Sequence, residues 1–394
     1  MLLLQLEKHD QEMIRKKNRM LVLDMIRKRR PVSRTEIARL TGMSAASAGR
    51  IVADLLEMGL VKETVRTSAG VGRKATMLDI DISSIMALGV DIDRNLVKIG
   101  LVDLDGTVVA EERREFASDD MRPDAAAEAV AAAAPRLAAS QGLAVSKLIG
   151  VGIGMPGFID TENGTVVFSA QLGWRNARIA KAIEERLGLP AVLDNDLKVK
   201  ALGESAAREL DAAGTTALVS IGSGVGSALI VDRNIYRGAN NIAGEIGHSI
   251  IDPNGKLCEC GKRGCLQTYL TDLAMLQEAN QVKPVASLDE LFRLAEAGEA
   301  WAHHIIDRAC TYAAVTLNNV ACVYNPDTIV LTGSFVEDHP GMFETIERKV
   351  SAFVGEHFAG TFQVVRSTLG EKSVMIGAAK LILQQRLDEG LTPP

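Results

Sequence analysis

The sequence predicts an α/β protein with a small winged helix-turn-helix module in front, and three observations lead there. Charge divides along the chain: residues 1–80 hold 16 Lys+Arg against 9 Asp+Glu, a net +7, and the remainder holds 28 against 41, a net −13. Apolar spacing changes near Asp81, from the three-to-four period of helices to strand-like runs alternating with helices. Short turns such as "DLDG" join those runs. With 394 residues, 47% apolar and 24% charged, the chain has room for two or three domains, and disorder is excluded as the default. No run of about 18 apolar residues occurs, and "MLLLQLEKHD" meets charge too soon for a signal peptide, so a cytoplasmic protein without a membrane partner is expected. Five cysteines, Cys258, Cys260, Cys265, Cys310 and Cys322, are too few and too unevenly placed for a secreted disulfide framework.

From Asn18 the pattern reads helix, helix, turn, helix and two-stranded hairpin. The second helix opens at "SRTE", where Ser33 caps the backbone and Glu36 can return the bond as a capping box, with Ile37 and Leu40 facing inward. Gly42 in "TGMS" supplies the turn and Ser44 a new N-cap. A third helix, "AASAGRIVADLLEMG", buries Val52, Leu55 and Leu56. In a helix-turn-helix this helix enters the major groove of double-stranded DNA by its N-terminal end, which puts Ser44, Ala46, Ser47 and Arg50 at the DNA. The small residues permit close approach. Arg50 is the side chain able to grip guanine bidentately or clamp phosphate. "LVKETVR", the turn "SAGVG" and "RKATMLDI" then form a hairpin whose Arg73 and Lys74 can reach the duplex as a wing. The alternative for such a three-helix unit is dimerisation or protein binding, and "RKRRP" alone would be a solvated helix end.

In the body, "IMALGVDI", "NLVKIGLVDLDG" and "TVVAEERREF" read as three antiparallel strands. An Ala-rich helix interrupted by Pro135 follows, and then a strand, "LIGVGIGMPG". "AVLDNDLKVKALGE" as strand and helix, and "ALVSIGSGVGSALIVDRNIY" as a hairpin with a glycine-rich turn, start the same cycle again. Cys310 and Cys322 fall in an apolar-patterned helix and are expected in the core; His303 and His304 are expected at the surface.

From about Met86 onward the chain resembles the ROK family of repressors, open reading frames and sugar kinases. The carrying motifs are "GMPG" (154–157), "LGW" (172–174), "DNDLKVKALGE" (194–204), "IGSGVGSALI" (221–230), "AGEIGH" (243–248) and "CECGKRGCLQ" (258–267). The resemblance implies a two-lobed actin-like, Hsp70-like sugar kinase fold, that is, a duplicated ribonuclease H-like unit. It implies the division 1–80 for the winged helix, 81–205 for the first lobe with a C-terminal helix 373–394 packing back, and 206–372 for the second lobe with its zinc loop.

Carried over residue by residue, Asp196 falls where the family's kinases keep the base that takes a proton from the sugar hydroxyl, a role suited to a carboxylate when the phosphoryl transition state is loose. Asn195, Glu245 and His248 match positions that grip sugar hydroxyls. His248, Cys258, Cys260 and Cys265 make a Cys₃His set suited to a structural zinc, a closed site leaving no place for a reactive water. Gln267 stands where the family ends this motif with glutamate, which points to a different or modified sugar.

Two departures bear on catalysis. Where the kinases carry Asp-x-Gly-x-Thr after the first strand, this chain reads "DIDRN", with Asp93 and Asn95 for the glycine and threonine; Asp93 adds a side chain and a like charge beside phosphate. "IVLTGSF" places Thr332 where a glycine pair lets adenosine approach. The turn "GSGVG" is intact, but a hairpin keeps such glycines for backbone reasons. These features predict a non-enzymatic, sugar-responsive regulator, most simply a repressor, that acts as a homodimer or dimer of dimers on operator DNA, with Asp196 retained to bind a hydroxyl. The alternative is an ATP-dependent sugar kinase with a fused DNA-binding domain; a zinc-dependent partner-binding protein without DNA affinity is a third class.

Overall fold

The structure is a computed structural model that describes residues 2–65, 76–81, 85–117, 120–208, 214–339, 341–355 and 360–389. Two compact units divide the chain. One is built on residues up to Ile153, on Ala177–Leu193 and on residues from Ala378; the other is Gly154–Asn176 with Asp194–Gly377.

The first unit begins with α1 (Leu2–Arg29), α2 (Arg34–Thr41) and α3 (Ala45–Glu57), followed by the antiparallel pair β1 (Val61–Val65) and β2 (Thr76–Ile80). Both predicted caps form: Ser33 accepts from the Glu36 N–H and Ser44 from the Ser47 N–H, each at 3.2 Å. Glu36 does not complete a capping box but turns toward Arg39, 3.9 Å away. Gly42 takes φ 69°, the left-handed conformation that lets the chain reverse between helices. Ile37, Val52 and Leu55 are fully buried, whereas Leu40 and Leu56 are half-buried.

The same unit continues with β3 (Met86–Asp93), β4 (Leu96–Asp103), β5 (Val108–Glu115), α4 (Pro123–Ser140) and β6 (Val151–Met155). After the small sheet of β7 (Phe158–Asp160), β8 (Thr165–Ser169) and β9 (Trp174–Ala177), which falls mostly in the second unit, come α5 (Ile179–Leu187) and β10 (Ala191–Asn195). Pro135 does not interrupt α4. It lies on the exposed face while Ala133, Ala134, Leu137 and Ala138 are buried, so the carbonyl it deprives of a donor sits on the side open to solvent.

The second unit holds α6 (Asp196–Ala207), β11 (Thr215–Ile221), β12 (Val225–Val231), β13 (Asn234–Ile235), α7 (Gln267–Leu270), α8 (Asp272–Val282), α9 (Leu288–Glu296), α10 (Ala300–Tyr324), β14 (Thr328–Thr332), α11 (Ser334–Glu337), α12 (Gly341–Phe353) and β15 (Gln363–Arg366). The last helix, α13 (Ser373–Asp388), begins in this unit and ends in the first. The two large sheets run β10-β6-β3-β4-β5 and β13-β12-β11-β14-β15. Counted by appearance, each sheet reads third, second, first, fourth, fifth strand, the signature of a duplicated unit. β11 pairs antiparallel with β12 and parallel with β14, as strands joined by a tight turn and by a helical crossover must.

One apolar core in the first unit joins the winged helix to the body. Val22, Ile26, Ile37, Leu55 and Leu78 share it with Ala87 and Val102 of the sheet and with Ala379, Ile382 and Leu383 of α13. Arg30 at the end of α1 pairs with Asp105 in the β4–β5 turn. At its other end α13 crosses α6 closely: a Cβ on Gly377 would lie 1.7 Å from the Val199 carbonyl oxygen, so no side chain is tolerated there. Cys310 is buried as predicted; Cys322, on the same helix, is exposed because it falls on the face that α10 turns to solvent, and His303 and His304 are exposed. No helix among the described residues is long and apolar enough to cross a membrane.

Candidate functional site

Two groups of side chains carry chemistry, one in each unit. In the first, the start of α3 exposes Ser44, Ala46, Ser47 and Arg50. The neighbouring arginines are occupied: Arg15 and Arg19 meet Asp54 at 2.9 and 3.6 Å, and Arg34 meets Glu63 at 2.7 Å. Arg50 has no ion-pair partner among the described residues, so its guanidinium is available to a phosphate or a base edge. Arg73 and Lys74 lie outside the described residues.

In the second unit, α6 and the loop 237–248 flank β12. Leu197 leans on Gly226. A Cβ on Gly244, at φ 104°, would lie 2.0 Å from the Ser227 carbonyl oxygen, which requires glycine there on both counts. Asn195 is the N-cap of α6: its Oδ1 accepts from the N–H groups of Leu197 and Lys198, at 3.1 and 3.4 Å, and its Nδ2 donates to the Gly157 carbonyl at 3.3 Å. Two of its three polar contacts are thus to its own helix, and Asp196, half-buried, starts that helix. Glu245 is exposed and His248 half-buried, and both Asp196 and Glu245 lie within electrostatic reach of Lys198.

Sequence reasoning missed the scaffold beneath these residues. Asp194 is fully buried, takes the Asn195 N–H at 2.8 Å and forms an ion pair with Arg237; Asn241 reaches Asp194 and donates to the Ile159 carbonyl at 3.0 Å. A carboxylate so buried needs a paired cation and several donors. Its sequence signal was present, an Asp at the end of an apolar strand, but the partner lies 43 residues on.

The donor atoms of His248, Cys258, Cys260 and Cys265 lie within 4.8 Å of one another, so these residues can hold a metal ion. The His248 Nδ1 faces Cys258 Sγ at 3.8 Å, leaving Nε2 as the nitrogen not directed at the thiols. The Lys262 N–H and its neighbours bring the Cys260 thiol down to about 7, whereas burial pushes Cys265 up to about 12. Three sulfurs and one imidazole, two of the thiols buried, fit a tetrahedral zinc and suit calcium or magnesium poorly. Gln267 sends its amide N–H to Cys258 Sγ at 3.3 Å and to Glu259 at 3.1 Å, so it braces the sulfur cluster.

The turns that the resemblance compares with phosphate loops carry contacts of their own. Asp91 is 3.6 Å from Lys98 on the adjacent strand, Asp93 takes the Arg94 N–H at 2.6 Å, and Asn95 adopts φ 60°. Beside the second turn, Glu337 accepts from the Thr332 hydroxyl and from the Gly333 N–H at 3.1 Å and pairs with Lys200 at 3.4 Å. Burial alone would raise the Glu337 carboxyl, but Lys200, Thr332 and Gly333 outweigh it and keep the group below the usual range. Ser334 donates to Asp272 at 2.9 Å.

Comparison with known proteins agrees with this architecture. Residues 16–74 match the MarR family, and residues 87–385 match the ROK family. The xylose repressor of Bacillus spizizenii is 27% identical over 381 residues, covering 96% of this chain and 98% of that protein. A glucokinase of Halalkalibacterium halodurans is 31% identical over 256 residues, covering 61% of this chain and 78% of that protein. The crystal structure of a ROK family transcriptional regulator, a homologue of the E. coli MLC protein, superposes with a TM-score of 0.81 at 23% identity, over 96% of this chain and 98% of that one. With its body matched from strand β3 to the last helix, and the duplicated five-strand order in place, the chain belongs to the ROK family.

Proposed function

We propose that the protein is a sugar-responsive transcriptional repressor that binds operator DNA as a homodimer and releases it, or changes its grip, when a small sugar or sugar derivative enters the second unit. The observation that carries this reading is the exposed face of α3, with Arg50 in no ion pair among the described residues, on a module whose core is continuous with the body. A free-swinging DNA-binding appendage would have a core of its own. The whole-length match to a xylose repressor supports it, since the glucokinase match spans 61% of the chain.

Asn195, Asp196, Glu245 and the Nε2 of His248 are the groups we assign to sugar hydroxyls, with Gln267 reading or bracing the site. A zinc ion held by His248, Cys258, Cys260 and Cys265 would supply rigidity, fixing the imidazole and the loop that carries it. For transmission we assign α13, which crosses α6 at Gly377 and ends in the core shared with the winged helix. A shift of α6 on ligand binding would move α13, and in a two-fold dimer a small reorientation of paired recognition helices changes how well they meet half-sites one DNA turn apart.

The test is a thermal-shift screen over neutral sugars, amino sugars and sugar phosphates, followed by operator titration with and without the hit. A stabilising sugar that changes operator affinity supports the reading. ATP-dependent phosphorylation of that sugar, abolished by Asp196→Ala, would replace it with the kinase alternative. The intact turn at Gly222, Gly224 and Gly226, together with Asp196 at the position of the kinases' base, favours that alternative; the Asp91–Lys98 and Glu337 contacts oppose it.

A further inference from the structure

We propose that Lys198 is a positioning residue that locks the Glu245 loop onto α6, so that the candidate sugar site is assembled before any ligand arrives. The proposal rests on the effector reading for its functional meaning, but its structural basis is independent of it. Lys198 sits in the first turn of α6 and is 3% exposed. Its Nζ donates to the Asn241 carbonyl at 2.6 Å, a charge-assisted bond across 43 residues of chain. Asn241 is the hub of the lock. Its Nδ2 donates to the Ile159 carbonyl and to Asp194, its Oδ1 accepts from Arg237 at 3.3 Å, and its backbone takes φ 57°. One buried ammonium, one guanidinium, one amide and one carboxylate thereby tie together the end of β7, the junction of β10 with α6, and the loop that leads to Glu245 and His248.

A second consequence is electrostatic. The charged groups facing the ammonium are Asp194 and Asp196 at the start of α6, and Glu245 and Arg237 on the loop. Burial pulls the lysine below its ordinary range, the three carboxylates work against that pull, and Arg237 adds to it. The ammonium in turn places one positive charge among these three carboxylates. An ionised carboxylate accepts hydroxyl hydrogens with all its lone pairs, which is what a polyol needs from the groups beside this lysine. A neutral side chain of similar length would lose the bond to Asn241 and the charge together.

The first test is hydrogen exchange on the ligand-free full chain, comparing wild type, Lys198→Met and Lys198→Arg. The lock predicts at least tenfold faster exchange confined to residues 237–245 in Lys198→Met, with Lys198→Arg close to wild type. Unchanged exchange in that segment overturns it. The second test follows the affinity of a sugar hit against pH. Wild-type affinity should fall below the pH at which an ordinary lysine deprotonates, because the folded ammonium loses its proton early, whereas Lys198→Arg should hold its affinity through the same range. A flat wild-type profile, or parallel losses in both proteins, overturns the proposal. If Lys198→Met does not fold, the arginine variant and the wild-type pH series decide it. If no sugar shifts the melting of wild type, the effector reading fails, and the exchange measurement still decides the lock.

Discussion

The exposed face of α3, which we propose meets DNA, and the loop running from Gly244 to Gln267 solve opposite problems. α3 meets its surroundings with exposed Ser44, Ala46, Ser47 and Arg50, and is placed by one capping bond and a buried opposite face. The loop is placed by a glycine with no room for a side chain, a cluster of four donor atoms, and a buried ion pair beside it. A surface that must meet a second macromolecule can be changed without disturbing the fold. A proposed small-molecule site whose groups are bonded to a buried polar scaffold cannot, because the groups that recognise are tied to the groups that support. Mutations should therefore separate binding from stability in the first region and couple them in the second.

Metal removal is the strongest challenge to that contrast. Purified protein should contain one zinc per chain by elemental analysis, and chelation or Cys258→Ser should lower apparent stability by several kcal/mol, on the order of a third of what zinc supplies to a zinc-finger peptide. The sugar response should disappear with it. If chelated protein melts as before, the loop is held by its backbone alone and the contrast weakens.

Next comes the scaffold carboxylate. Asp194→Ala removes the partner of Arg237 and an acceptor for Asn195 and Asn241. Breaking a buried pair costs about 3–5 kcal/mol, and since Arg237 is a third exposed, about 2–3 kcal/mol is expected in denaturant unfolding. Asp194→Asn should recover part of that loss through its remaining hydrogen bonds. Equal loss in both variants would show that charge rather than hydrogen bonding holds the junction.

In the first region, Arg50→Ala should weaken operator binding roughly tenfold to a hundredfold, about 1–3 kcal/mol, with melting unchanged within about one degree. A base contact would relax specificity at one position, whereas a phosphate contact would weaken all sequences alike and reduce the salt slope by about one. Unchanged binding would remove α3 from the interface.

What the sequence made legible follows the same divide. The caps at Ser33 and Ser44, the Gly42 turn, the β11–β12 hairpin and the Cys/His donor set are local patterns, in which the interacting residues lie within one short motif. The Asp194–Arg237 pair and the Lys198–Asn241 bond join groups 43 residues apart, the Asp91–Lys98 pair joins two strands, and no periodicity announces them. Pro135 misled for a related reason: a proline predicts a break from local chemistry, but burial of the four alanine and leucine neighbours on the opposite face kept α4 continuous. The duplicated fold was legible through motif order, while the contacts at the turns compared with phosphate loops depended on Lys98 and Glu337, which belong to no recognised motif, and on Lys200, which lies within "DNDLKVKALGE" with no role marked for it.

The smallest effect is also the sharpest test of separability, because Ser44 belongs to both the fold and the reading face. Its hydroxyl accepts the Ser47 N–H at 3.2 Å and lies 3.0 Å from the Ser47 hydroxyl, yet the residue is exposed at the front of α3. Ser44→Ala should cost about 1 kcal/mol of stability by leaving an N-terminal donor unpaired. Ser44→Asp should keep full stability, since aspartate caps as well as serine and its charge complements the helix N-terminus. The same charge should repel DNA phosphates and cut operator affinity more than the alanine does. Stability following one order of variants and DNA affinity another would show that α3 reads DNA with side chains its fold does not need. If both measurements ranked wild type, alanine and aspartate identically, the face would be structural and the contrast with the Cys/His loop would fall.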